Sequence, residues 1–99
     1  MGSLRAVRVR FAAPALRHLD EIHSFIAADN PAAASRGLGD IRKAVTLLQI
    51  APNVGRRGEV DRTREWVVRQ RPYVIVYRIE PAEDLLTVLG ICHTARRRP

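Results

Sequence analysis

The side chains best equipped for chemistry in this chain are its arginines. Lys+Arg number 17 against Asp+Glu 10 over 99 residues, and Lys43 is the only lysine. A guanidinium keeps its charge at any working pH and offers a planar fork of donors suited to phosphates and carboxylates. Arg56, Arg57, Arg62, Arg64, Arg69, Arg71 and Arg78 crowd the second half, and Arg96, Arg97 and Arg98 sit near the end. One use of such a set is anion binding, to nucleic acid or to an acidic peptide. The plain alternative is a solvated face with ion pairs to Glu59, Asp61 and Glu65. A second use is ribonuclease chemistry, which needs a group to take the 2′-OH proton, a group to protonate the leaving oxygen, and cations to stabilise the phosphorane. Histidine is the side chain suited to the proton steps near neutral pH. Tyr73 and Tyr77 stand an even number of residues apart in one strand-like run, so they share a face, and packing is their expected role.

Other chemistries find little support. Cys92 is the single cysteine, so an intramolecular disulfide framework is excluded, and Cys92 is expected as a small buried residue. His18 and His23 are five apart, off the i, i+4 register for a shared ligand, and are read as surface or packing residues. No metal and no cofactor is expected. The N-terminus MGSLRAVRVR lacks an apolar leader core, and no stretch approaches a membrane span. These features predict a cytoplasmic protein with no membrane partner.

The elements that must carry the arginines follow from periodicity. The length suits one domain spanning residues 1–99, able to bury roughly two-thirds of its unfolded surface. With 46% hydrophobic residues, the chain is too apolar for a disordered tail. Arg5 to Phe11 alternates as a strand does, with Val7, Val9 and Phe11 on one face. Leu16, Leu19, Ile22 and Ile26 recur at helical spacing after Pro14. Asn30-Pro31 is a capping and first-turn pair for a second helix. That helix carries Ala34, Leu38, Ile41, Val45 and Leu48 in one stripe and ends at Pro52. Gly37 and Gly39 inside it are expected to mark close approach by the first helix. The region from Gly55 to Gly58 reads as a loop. Strands are predicted at Glu65 to Arg69, Tyr73 to Ile79 and Leu85 to Ile91. Continued alternation would place Arg69 and Arg71 on one face and Val68 on the other. Trp66 is expected in the core. The fold class is therefore α+β: an N-terminal strand and an antiparallel two-helix hairpin, packed on a small, mainly antiparallel sheet in the order β-α-α-β-β-β. The first strand would lie along an edge or beside the last strand.

Beyond periodicity, the chain resembles the ParE/RelE superfamily of bacterial toxins. The resemblance is carried by PALRHLDEIHSFIAADNPAAASR, APNVGRRGEVDRTREWVV, PYVIVYRI and VLGICHTARRRP, which together cover Val7 to Pro99. Within them the most specific pieces are Asp29-Asn30-Pro31-Ala32-Ala33, Gly55-Arg56, Thr63-Arg64-Glu65-Trp66, Pro72-Tyr73 through Tyr77-Arg78, and His93 with Arg96. The TREW and PYVIVYR runs are closer to the ParE branch.

The resemblance implies a toxin of a type II toxin–antitoxin pair. A ParE-like toxin would inhibit DNA gyrase without being an enzyme. A RelE-like one would instead cleave mRNA on the ribosome, with Arg64, Arg69, His93 and Arg96 as the implied catalytic set, although the tail after His93 lacks the tyrosine that related nucleases often carry. In either case it implies a hetero-oligomeric complex with a small cognate antitoxin from the same operon. That antitoxin would lay an acidic and apolar segment, as helix or strand, along the helix hairpin and sheet edge. The contact residues it implies are Leu16, Leu19, Phe25, Arg56, Arg64, Arg69, Arg71, Arg78, Arg96 and Arg97, for target or antitoxin.

Overall fold

Five strands and two helices form the described part of the chain. The computed structural model describes residues 6–97, with side chains through Ala95. Strand β1 spans Arg8–Phe11, helix α1 Ala13–Ala27 and helix α2 Pro31–Ile50. Strands β2 (Arg56–Arg57), β3 (Arg64–Val67), β4 (Tyr73–Glu80) and β5 (Leu85–His93) follow. Short 3₁₀ turns occupy Pro52–Val54, Pro81–Glu83 and Thr94–Arg97.

The helices start and stop where their end residues dictate. Helix α2 is capped by Asn30, whose Oδ1 accepts the Ala33 N–H at 3.1 Å, and Pro31 lacks the N–H that a first turn leaves unpaired. Its last turn closes with the Ala51 N–H donating to the Leu47 carbonyl at 2.8 Å, just before Pro52. Helix α1 starts one residue before Pro14, with Ala12 as an N-cap that offers no side-chain bond. Gly37 meets the expected neighbour: a Cβ there would lie 3.3 Å from Ile26 of α1. Gly39 does not, since nothing lies within 4 Å of its Cβ position.

The sheet order is β1-β5-β4-β3-β2, with β1 parallel to β5 and the other pairs antiparallel. The first strand is thus both an edge strand and the neighbour of the last. Helices cover one face, where Ile41, Leu48, Val68, Ile75, Tyr77, Leu86 and Val88 form the core. Trp66 packs against this core, as expected. Register sets Trp66 opposite Ile75 and Arg64 opposite Tyr77, so both project toward the helix side. Glu65, Val67, Val74 and Val76 project from the other face. Between Val76 and Tyr77 the β4–β5 register shifts by one residue, leaving Leu89 as a bulge.

Several expectations are corrected. The strand placed at Glu65 to Arg69 ends at Val67, because Gln70 adopts φ 60 and the Arg71 N–H turns back to the Val68 carbonyl. Arg69 and Arg71 therefore sit in a turn and not on a sheet face, while Val68 drops into the core. Gly55 to Gly58, read as loop, contains the two-residue strand β2, too short for alternation to register. Strand β1 begins at Arg8, and Arg5 lies outside the described residues. Cys92 is half-buried, opposite Val74 on the face away from the helices.

Candidate functional site

The second half of the chain builds a rigid corner from the loop that joins α2 to β2. The Tyr77 hydroxyl donates to the Pro52 carbonyl at 2.6 Å and accepts the Gly55 N–H at 3.0 Å. Arg64 Nη1 donates to the Gly55 carbonyl at 2.7 Å and the Asn53 carbonyl at 3.2 Å. Gly55 is required here: a Cβ would overlap the Tyr77 hydroxyl and stand 2.9 Å from the Glu65 carbonyl oxygen. Burial raises the Tyr77 hydroxyl pKa above its ordinary value, with the Gly55 N–H and the Arg64 charge pulling the other way. Beside it, Arg56 pairs with the buried Glu65 at 3.2 Å. Tyr77 thus does more than fill space. The pattern of residues indicated its face but not its hydrogen bonds, which join positions 25 and 22 residues apart.

The remaining arginines are dispersed. Arg71 Nε bonds Asp40 Oδ2 of α2 at 2.8 Å. Arg78 and Arg10 flank Glu80 at 3.7 and 3.5 Å. The Thr87 hydroxyl donates to the same carboxylate at 2.8 Å, and Glu80 is held below its ordinary pKa first by Thr87 and then by the two arginines. Of the acidic partners anticipated for the arginines, Glu65 takes an arginine, while Glu80 and Asp40 take the others among the described pairs. Arg69 is exposed in its turn. Arg96 and Arg97 lie beyond the described side chains, as does Arg98.

Arg64 and His93, two of the four positions considered for ribonuclease chemistry, are not brought together. Arg64 faces Tyr77 across one edge of β4, and His93 faces Tyr73 across the other. Four residues of β4 separate these partners, about 13 Å of strand. The Arg64 guanidinium is turned onto loop carbonyls, and His93 stacks edge-on against Tyr73 at 6.0 Å while its Nδ1 accepts the Ala95 N–H.

At the opposite sheet edge lies an apolar groove of about 320 Å³ between β1, α1 and α2. Val9, Phe11, Leu16, Leu19, Leu38 and Val45 contribute to it. Leu16 and Leu19, two of the residues anticipated for partner contact, are brought together here. Phe25, the third, is 80% exposed near the end of α1 and does not line the groove. Gln49 clips the start of β1 by accepting the Val7 N–H at 2.9 Å and donating Nε2 to its carbonyl at 2.8 Å. Past that clip, no strand among the described residues lies on the outer side of β1.

His18 has a role that spacing did not reveal. Its Nδ1 accepts the Ile91 N–H at 3.0 Å, beside the bulge and past the point where β1 leaves β5. Gly90 makes room for it, since a Cβ would lie 3.1 Å from the imidazole.

A helix hairpin packed on a five-stranded mixed sheet is the α+β fold of ParE/RelE-like proteins. Solved structures of this class superpose on it. The ParE-containing ParDE system of P. aeruginosa matches with a TM-score of 0.79 at 23% identity, over 89% of this chain and 96% of that one. The E. coli RelBE complex matches at 0.65 and 12% identity, over 89% and 96%. The RelBE2 complex of Mycobacterium tuberculosis matches at 0.61 and 20%, over 94% and 97%. The family is given by the sequence itself: residues 9–98 match the ParE toxin of the type II toxin–antitoxin system parDE. The Sinorhizobium fredii protein Y4kP, which carries a provisional toxin name, is 44% identical over 82 residues, covering 83% of this chain and 85% of its own. The chain belongs to the ParE toxin family of type II toxin–antitoxin systems. Among the described residues no helix is long and apolar enough to cross a membrane.

Proposed function

We propose that this ParE-type toxin inhibits DNA gyrase by binding and is neutralised by an antitoxin segment seated in the groove beside β1. The observation that carries the non-enzymatic reading is the placement of Arg64. Its guanidinium is spent on the Gly55 and Asn53 carbonyls, far along β4 from His93. A phosphate held by one would be out of reach of the other, so Arg64 and His93 do not form one acid–base site.

The groove supports the antitoxin half of the reading. Its lining is mostly apolar, Leu16 is 52% exposed beside it, and the β1 edge offers backbone groups for an added strand. The +7 charge favours fast association with an acidic partner. A supercoiling assay with purified gyrase tests the target: loss of supercoiling at micromolar toxin, restored by the antitoxin, is the expected result. Intact supercoiling, together with new cleavage sites on translated mRNA by primer extension, would instead support the RelE-like ribonuclease.

A further inference from the structure

The corner held by Tyr77 and Arg64 ends in a hairpin tip that neither the core nor the groove uses. Residues 58–63 close on themselves: the Gly58 N–H donates to the Thr63 carbonyl at 2.8 Å, and the Thr63 N–H and hydroxyl both donate to the Val60 carbonyl. Arg62 adopts φ 69 and steers the chain away from β4. Two consequences follow. Val60 is left 70% exposed at the tip. A cleft of about 840 Å³ opens between the tip and the Pro81–Glu83 turn.

One wall of that cleft is an open strand edge. The Val68 N–H donates to the Tyr73 carbonyl, so Tyr73, Ile75, Tyr77 and Ile79 direct their backbone groups toward β3. Strand β3 starts at Arg64, opposite Tyr77. Ile79 lines the cleft two residues beyond, facing no strand. Arg57 and Arg62 on its rim have no ion pair or hydrogen bond among the described residues. The rim carries carboxylates too, Asp61 and Glu83. A polyphosphate would meet repulsion from those carboxylates. A protein segment can match both signs and cover Val60 as well.

We propose that this cleft is a second protein-docking surface, at the sheet end beside β2 and away from the antitoxin groove. It takes an extended segment of mixed charge from the toxin's target, which adds a strand at Ile79 and covers Val60. This rests on the toxin reading but does not require that the target be gyrase. The cleft and the groove share no lining residue, so target and antitoxin can be held at separate places.

The test is a triple variant, Arg57→Glu, Val60→Asp and Arg62→Glu, made in exposed positions. Toxin dose for growth arrest should rise by about tenfold or more. The rate at which the antitoxin dissociates and the thermal midpoint should stay at wild-type values, while the lowered net charge slows only association. In the toxin–antitoxin complex the Ile79 amide should exchange as fast as in free toxin. Unchanged arrest by a folded variant overturns the proposal. So does a parallel acceleration of antitoxin dissociation, or protection of Ile79 by the antitoxin. Retention of duplex DNA or RNA by wild type and not by the variant would reassign the cleft to nucleic acid and overturn it too. Arrest that depends on this surface while supercoiling is untouched would remove gyrase as the target and leave the surface standing.

Discussion

The Tyr77 hydroxyl makes two hydrogen bonds, to the Pro52 carbonyl and from the Gly55 N–H. Tyr77→Phe leaves both backbone groups without their partner, and buried unpaired groups of this kind cost about 1–3 kcal/mol. Urea unfolding should register that loss. The pH dependence has a definite sign. Because burial raises the folded pKa above the ordinary 10.0, the fold favours the neutral phenol. Its contribution is complete below that value and is lost as pH rises through the folded pKa. Tyr77→Phe should therefore lose less stability than wild type on going to strong alkali. Glu80 runs the opposite way. Its folded pKa lies below 4.5, set first by the Thr87 hydroxyl, so its stabilisation is present above 4.5 and disappears as pH falls through the folded value. Thr87→Val should shift the acid unfolding midpoint upward, measured by far-UV circular dichroism.

At the level of elements, the corner between α2 and β3 depends on a close approach that only glycine allows. A Cβ at Gly55 would stand 2.8 Å from Tyr77 Cε1 and 2.9 Å from a backbone oxygen. Gly55→Ala must displace one of them, at about 1–3 kcal/mol. Part of that cost is contact with the Tyr77 hydroxyl, so Gly55→Ala combined with Tyr77→Phe should destabilise by less than the two single changes added together. A double-mutant cycle by urea unfolding reads the difference. The same corner marks what was legible in the sequence. Helix spacing and the Asn30-Pro31 cap are local signals, and both helices are where those signals place them. The end of β3 was misplaced because alternation continues through Val68 while Gln70 breaks the backbone. Neither β2 nor the Leu89 bulge repeats long enough to leave a period. The Tyr77 and His18 hydrogen bonds join residues 22 to 73 positions apart, so no window of sequence contains them. The groove was half legible: Leu16 and Leu19 share a helix face with the right spacing, but Phe25, nine residues beyond Leu16, points from the opposite face of α1.

Across the whole molecule the positive charge is spread over both sheet edges, while the apolar docking surface is confined to one. Charge and shape should therefore govern different steps of antitoxin binding. Long-range attraction from +7 acts before contact and depends on salt. The groove acts after contact and is insensitive to salt. Raising the salt from low to about 0.5 M should lower the association rate by about tenfold or more and change dissociation little. Leu16→Glu should do the reverse. Leu16 is 52% exposed, so the fold tolerates the change, but a carboxylate would be buried under the antitoxin segment without a designed partner. Dissociation should accelerate by about tenfold to a hundredfold at any salt. Stopped-flow or surface-plasmon kinetics on the wild type and Leu16→Glu at two salt concentrations separates the two effects. If Leu16→Glu leaves dissociation unchanged, the antitoxin does not occupy this groove, and the β1 edge has no part in neutralisation.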